Sequence, residues 1–343
     1  MEGPTPKVFK LLMTPFLVRE AIISHMDPAS AFLFSQSSKR ARFMMTSNKL
    51  KLKFYFAIYI KEEINMFPRG PDDYLISING MENNQDGRSY FRTDFGELIN
   101  VKASTGLDCR LVFYTTSKLS TFKNLHQELQ KLFTLDYDMF FYDLQQTDIL
   151  YMDVYKMFLE SQMRFRKSTI EGTLADNQLA ETILRNVNIS GGIFINSVFN
   201  HDLRISNWII NNDAIWVSNA HWFRIENLRE SSCVCAKLKN PNITDIDLNN
   251  FLRHLINGGN PNLQLFVMFM ERDYDINVIF GNITTEERNR RRKYKHNGIV
   301  AEESSNALSF TLQSGVEASM SFYWEIHTRL NVIGLILFRG QDQ

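Results

Sequence analysis

The stretch "NITDIDLNNFLRHLINGGNPNLQLFVMFMER", residues 242–272, holds one complete unit of helix followed by strand. Thr244 predicts the N-cap, because its hydroxyl oxygen accepts one of the orphan N–H groups of a first helical turn. Leu248, Phe251, Leu252, Leu255 and Ile256 then recur at helical spacing and share one apolar face. Gly258 and Gly259, with Pro261 behind them, predict the stop: glycine accepts the left-handed conformation that ends a helix, and proline cannot continue one. Past the stop, Leu263, Leu265, Val267 and Phe269 occupy every second position, which is the period of a strand.

The same succession appears upstream. Phe122, Leu125, Leu129, Leu132 and Phe133 form a helical stripe ahead of the strand-like DMFFYDL at 138–144, and Leu179, Ile183 and Leu184 do the same ahead of GGIFINSVF at 191–199. Units that each expose an apolar face bury it by stacking on their neighbours, so the pattern predicts an irregularly spaced, leucine-rich-repeat-like α/β array. Gly191-Gly192 and Gly258-Gly259 are both predicted as helix C-caps, because neither continues into a phosphate-binding glycine pattern. The segment GVEASMSFYW at 315–324 predicts closing strands, with Ser314-Gly315 as the turn.

Between Leu52 and about Thr116 the texture is different. Short β-rich runs, KLKFYFAIYI, DYLISING, SYFRTDF and CRLVFYTT, are separated by turn clusters such as PRGPDD and ENNQDG.

Before residue 50 the chain reads as helices again. In TPFLVREAIISHMDPASAFLFSQSSKR, residues 14–40, Thr14-Pro15 is a helix start with proline at the first helical position. Val18, Ile22 and Met26 follow at i, i+4 and i+8. Asp27-Pro28 starts a second helix with Phe32 and Leu33, and a third, basic helix follows through Arg42, Phe43 and Met44. Three helices in about forty residues bury too little to stand alone. Phe9, Leu11, Leu12 and Phe16 enlarge the apolar surplus, which either docks on the rest of the chain or waits for another protein. The fold class is therefore α+β: a small three-helix N-terminal module followed by a larger region of helix and strand units.

Charge excludes some partners. Lys+Arg and Asp+Glu both number 38 in 343 residues, so no global field draws nucleic acid or anionic lipid. The longest apolar runs, such as Val332 to Phe338, fall far short of a membrane span of about 20 residues, and no secretory leader precedes them. An intracellular place, cytoplasmic or nuclear, is expected, in agreement with three cysteines that form no even framework. The sequons at Asn188, Asn242 and Asn282 then read as surface turns and helix starts.

Chemistry is hard to find. The seven histidines are scattered, and no Ser, Cys or carboxylate falls in a local nucleophile motif, so the chain reads as non-catalytic with no cofactor. Cys233 and Cys235 with His221 and His254 have the donor types of a zinc site, but two small buried thiols on a strand are the simpler reading. TEERNRRRKYKH at 285–296 sets Glu286 and Glu287 ahead of six basic residues. That order suits the dipole of a solvated helix, with phosphate contact or nuclear import as the sharper alternative. Trp208, Trp216, Trp222 and Trp324 are core anchors by default and binding hot spots if exposed.

Two segments resemble one known architecture. The order F-x-L-L-x-x-P-x-x-V-x-x-x-I-I-x-x-M-D-P from Phe9 to Pro28, followed by S-x-S-S-K-R, resembles the F-box of the large nematode F-box family over about residues 5–48. Arg19 and Gln36 stand where relatives usually carry apolar residues. Residues 242–272 resemble the type 2 F-box-associated domain through Thr244, Asp247, Leu248, Asn249, Phe251, Leu252, Gly258, Gly259, Asn260, Pro261 and Leu263, with Leu255 at the usual Trp position. The resemblance implies an F-box at 5–48, a substrate-recognition region at 51–343 with its F-box-associated motif at about 200–272, and membership of a cullin-RING (SCF-type) ubiquitin ligase. It further implies that Phe9, Leu11, Leu12, Pro15, Val18, Ile22, Met26, Pro28 and Leu33 hold the Skp-type adaptor, and that the larger region holds an undetermined client protein. The alternatives are an interaction scaffold whose F-box no longer binds the adaptor, and a nucleic-acid-binding protein working through residues 286–295.

Overall fold

The computed structural model describes residues 15–26, 28–47, 53–60, 64–69, 75–80, 90–92, 98–104, 110–144, 156, 165–186, 189–200, 202–205, 208, 210–288, 293–296, 299–302, 307–325 and 329–338. It is mixed α and β and falls into two compact units: residues 1–138 with 148–161, and residues 139–147 with 162–343. Among the described residues no helix is long and apolar enough to cross a membrane.

The first unit opens with α1 (Phe16–Ser24), α2 (Pro28–Ser37) and α3 (Lys39–Ser47). Strands β1 (Lys53–Ile60), β2 (Ile64–Arg69), β3 (Leu75–Gly80), β4 (Tyr90–Arg92), β5 (Leu98–Ser104) and β6 (Arg110–Thr115) follow, and then α4 (Lys118–Leu132). The strands lie in the order β1-β2-β3-β6-β5-β4, antiparallel except for the parallel pair β3 and β6. Phe122, Leu125, Leu129 and Leu132 of α4 are all buried, as their spacing predicts. Phe32 of α2 meets Phe113 of β6 edge to face at 6.0 Å. Glu128 on α4 is buried and takes Arg42 of α3 and Lys131, each at 2.5 Å. Removing Arg42 would leave the buried Glu128 with only the more exposed Lys131 of its own helix, so the Arg42 pair ties α3 to α4. Beside it the buried His126 stacks on Phe122 and bonds the Tyr137 hydroxyl, and burial pushes the imidazole down to about 4.

Strand β7 (Thr134–Asp143) runs across the division. The second unit continues with β8 (Phe165–Leu174), α5 (Asn177–Asn186), β9 (Ile189–Phe199), β10 (Ala214–Val217), α6 (Ile225–Arg229), β11 (Cys235–Lys239), α7 (Asp245–Ile256), β12 (Leu265–Met270) and α8 (Ile276–Phe280). It closes with β13 (Glu286–Arg288), β14 (Lys293–His296), β15 (Ile299–Glu302), β16 (Ala307–Thr311), β17 (Glu317–Glu325) and β18 (Leu330–Phe338).

Five of these strands, β8 to β12, stack in parallel and in chain order. One rung passes through Lys167, Gly192, Ala214, Cys235 and Leu265, and ends on Ile336 of the antiparallel β18. Parallel neighbours need a crossover each, and the returns here differ in kind. Helix α5 starts on Asp176, whose carboxylate accepts the N–H groups of Gln178 and Leu179. The described residues of the return to β10 are non-helical, and Leu203, Ile205, Trp208 and Ile210 among them are buried. Helix α7 is built as expected: the Thr244 hydroxyl accepts the Asp247 N–H at 3.2 Å while the Asp247 carboxylate accepts the Thr244 N–H at 2.8 Å. Gly258, at φ +88°, ends it.

Buried asparagines tie each return to the one before. Asn212 donates to the Ile189 carbonyl at 2.7 Å, Asn227 to Ile205 at 2.8 Å, and Asn260 to both Leu228 and Ser231 at 2.8 Å. These bonds fasten each asparagine-bearing segment to a backbone carbonyl that precedes it in the chain. The helix-side core holds Trp208, Trp222, Phe199 and Phe223, with Trp208 and Trp222 5.7 Å apart.

Two expectations are corrected here. Gly191 and Gly192 lie inside β9 and not at a helix end. A Cβ on Gly191 would sit 2.2 Å from the Arg166 carbonyl oxygen, so close approach to β8 is what requires glycine. The described residues of the run at 285–296 are not helical: Glu286–Arg288 pairs with β16 and Lys293–His296 pairs with β15. Alternation of Tyr294 and His296 with lysines, opposite Ile299 and Val300, suits a hairpin that covers a sheet, and sheet packing overrides the dipole argument.

Candidate docking surfaces

Helix α1 has Pro15 as its N-cap, with no side-chain bond to the first turn. Inward it places Ile23, fully buried; Ala31, Phe32, Ala41 and Met45 of α2 and α3 are buried as well. Outward it presents Leu17, 74% exposed, and Val18, 46% exposed, with Phe43 of α3 at 68%. Leu17 and Val18 each stand one turn from Ala21. An exposed face of this composition marks an interaction site far more often than an isolated surface leucine does.

The residues expected to hold the adaptor fall as follows. Pro15 and Val18 are exposed; Ile22, Met26 and Leu33 are half-buried. Phe9, Leu11 and Leu12 lie outside the described residues, as does the side chain of Pro28. Gln36 is half-buried, its amide donating to the Ser35 hydroxyl at 3.1 Å. Phe43 was not among the expected residues, since a basic helix gives little sign of which side it turns outward.

A second surface lies on the face of the β8–β12 stack opposite the helices. Alternation along β9 turns Phe194, Asn196 and Val198 to this face while Ile193, Ile195 and Phe199 are buried on the other. Trp216 of β10 is next in register and meets Phe194 at 5.6 Å. Lys237 of β11 follows, its Nζ 4.0 Å from the Trp216 ring centroid and 4.8 Å from that of Phe269. Burial between the rings lowers the Lys237 pKa, against the pull of Glu325, which favours the charge. The β14–β15 hairpin covers the far half of this face. Ile299 is fully buried and Tyr294 packs against the buried cluster that includes Val267, Phe269 and Val332, with its hydroxyl bonded to Gln264. Phe194, Val198 and Trp216 remain at the uncovered end, Val198 being 47% exposed. Their signal was the alternation in IFINSVF, which gave the strand but not the accessible face.

The four tryptophans separate. Trp208 and Trp222 are core, Trp216 is half-buried on the open sheet face, and Trp324 is 55% exposed. Cys233 and Cys235 are fully buried thiols, pushed by burial up to about 11 and about 12 respectively. Cys233 Sγ lies 3.2 Å from the Ser231 hydroxyl, and His221 bonds the Phe199 carbonyl at 3.0 Å. Among the described residues no group of three His, Cys, Asp or Glu side chains is arranged to hold a metal.

Residues 205–268 match the family model described as F-box associated, so the chain carries an F-box-associated domain of the type 2 pattern. The matched segment runs from the buried Ile205 to β12 and contains the Asn227 and Asn260 ties, Trp216, Lys237 and the whole of α7. Searches of curated proteins and of solved structures give no significant match.

Proposed function

We propose that the chain is the substrate-recognition subunit of a cullin-RING (SCF-type) ubiquitin ligase. Residues 5–48 serve as the F-box that grips a Skp-type adaptor, and residues 51–343 receive the client, with the parallel stack as a leucine-rich-repeat-like platform. The observation that carries this reading is the exposure of Leu17, Val18 and Phe43 among the three N-terminal helices of a chain that also carries an F-box-associated domain. On this reading Pro15, Val18 and Ile22 contact the adaptor together with Phe9, Leu11 and Leu12. Catalysis is by proximity: the receptor raises the effective concentration of a client lysine near an enzyme held elsewhere, and contributes no nucleophile.

The test is binding of the full chain to a recombinant Skp-type adaptor, measured by titration calorimetry. The wild type binds, and the pair Leu17→Glu and Val18→Glu weakens binding by a factor of about thirty or more, as expected when about 2 kcal/mol of apolar anchor is replaced by charge. Unchanged affinity in a folded variant would overturn the assignment of the adaptor to these helices.

A further inference from the structure

The open end of the β8–β12 face is apolar in the middle and basic on both flanks. Val198, Phe194 and Trp216 form the middle, on β9 and β10. On the β11 side the register runs from Phe194 through Trp216 to Lys237, and Lys239 lies two positions further along on the same side. On the β8 side Lys167 stands level with Gly192, Thr169 with Phe194 and Glu171 with Asn196. From Lys167 to Phe269 the charged residues that the five strands turn to this face are therefore Lys167, Lys237 and Lys239 against Glu171.

None of the three lysines makes a hydrogen bond or an ion pair among the described residues. The Lys237 ammonium lies over the Trp216 and Phe269 rings, with Glu325 on β17 as the acidic group that favours its charge. Ring faces attract a cation but do not satisfy its three N–H donors as oxygen acceptors would. A nucleic-acid strand asks for a row of cations that tracks its phosphates. Here the cations instead bracket an aliphatic and aromatic strip, which suits carboxylates set on either side of an apolar side chain. From β8 to β11 is three strand spacings, about 14 Å. An extended peptide covers that distance in about four residue steps, and its side chains at i, i+2 and i+4 point the same way.

We propose that this face docks an extended client segment of the pattern acidic-x-apolar-x-acidic. The apolar side chain covers Val198, Phe194 and Trp216, one carboxylate takes the Lys237 ammonium, and the other reaches Lys167. That the occupant is a client rests on the receptor reading above, whereas the chemistry of the face does not.

The experiment titrates the full chain, by fluorescence anisotropy, with labelled five-residue libraries of the form Glu-x-apolar-x-Glu, with the same libraries carrying Gln or Lys in place of Glu, and with a single-stranded oligonucleotide. The Glu library binds at least about tenfold more tightly than the Gln library, and the Lys library binds least. Lys237→Met keeps an apolar stem over the rings and removes the charge, so it weakens the Glu library by about fivefold or more and leaves the Gln library unchanged. Val198→Glu, at a position 47% exposed, weakens the Glu library as well and keeps the test intact if the Lys237 variant misfolds. Equal binding of the Glu and Gln libraries, or full affinity in either folded variant, overturns the site. An oligonucleotide that binds as tightly as the Glu library overturns the peptide as its occupant. Both variants retain adaptor binding, and peptide binding by a chain that cannot hold the adaptor overturns only the client as the source of the segment.

Discussion

Helices α1 and α7 are both rich in apolar residues and meet opposite fates. Along α7, Leu248, Phe251, Leu252 and Leu255 are completely buried, a capping box closes the N-terminus, and acidic residues precede basic ones. Along α1 there is no side-chain cap and no charge placed for the dipole, and Ile23 is buried while Leu17 and Val18 project. The contrast teaches that apolar content alone does not separate a buried helix from one with an exposed apolar face. In this pair the buried helix is also the one specified at its ends, whereas α1 is not.

The comparison breaks most readily at Phe251, which is fully buried and meets Phe266 edge to face at 5.9 Å. Phe251→Ala lowers unfolding stability by about 3–5 kcal/mol in denaturant titrations, through lost transfer energy and the cavity left behind. A loss below about 1 kcal/mol would mean that α7 is not the anchor described. A smaller effect sharpens the contrast at the helix ends: Thr244→Ala costs about 1 kcal/mol by removing the cap, read as a shift in the denaturation midpoint at unchanged slope. Least of all, the pair Leu17→Ser and Val18→Ser changes the stability of the isolated chain by less than about 0.5 kcal/mol, since neither side chain is packed. If thermal unfolding instead showed a large drop, α1 would belong to the core and the contrast would vanish.

How much of this was legible depended on how local the cause was. The α7 and β12 unit was readable because cap, stripe, glycine stop and alternation all lie within one segment. Gly191 was misread for the opposite reason: the carbonyl that forbids a side chain there belongs to Arg166, on another strand. The ties made by Asn212, Asn227 and Asn260 gave no pattern, because a buried asparagine and a surface asparagine look alike until the carbonyl it meets is known. The basic run obeyed a true rule about helix dipoles, yet the burial of Tyr294 and Ile299 against the sheet outweighed it. For the docking face of α1, the sequence showed a surplus of apolar residues, and only the packing of Ile23 told which side faces outward.

The outermost strand of the second unit is β13, paired on one side to β16 and made of Glu286, Glu287 and Arg288 alone. An open strand edge is a template on which further copies of a chain can add, and long apolar edges seed aggregates. This one is three residues long and charged at every position. Another molecule pairing there would gain few backbone bonds and would meet charge at every step. The margin of the second unit thus carries a barrier against the chain joining further copies of itself.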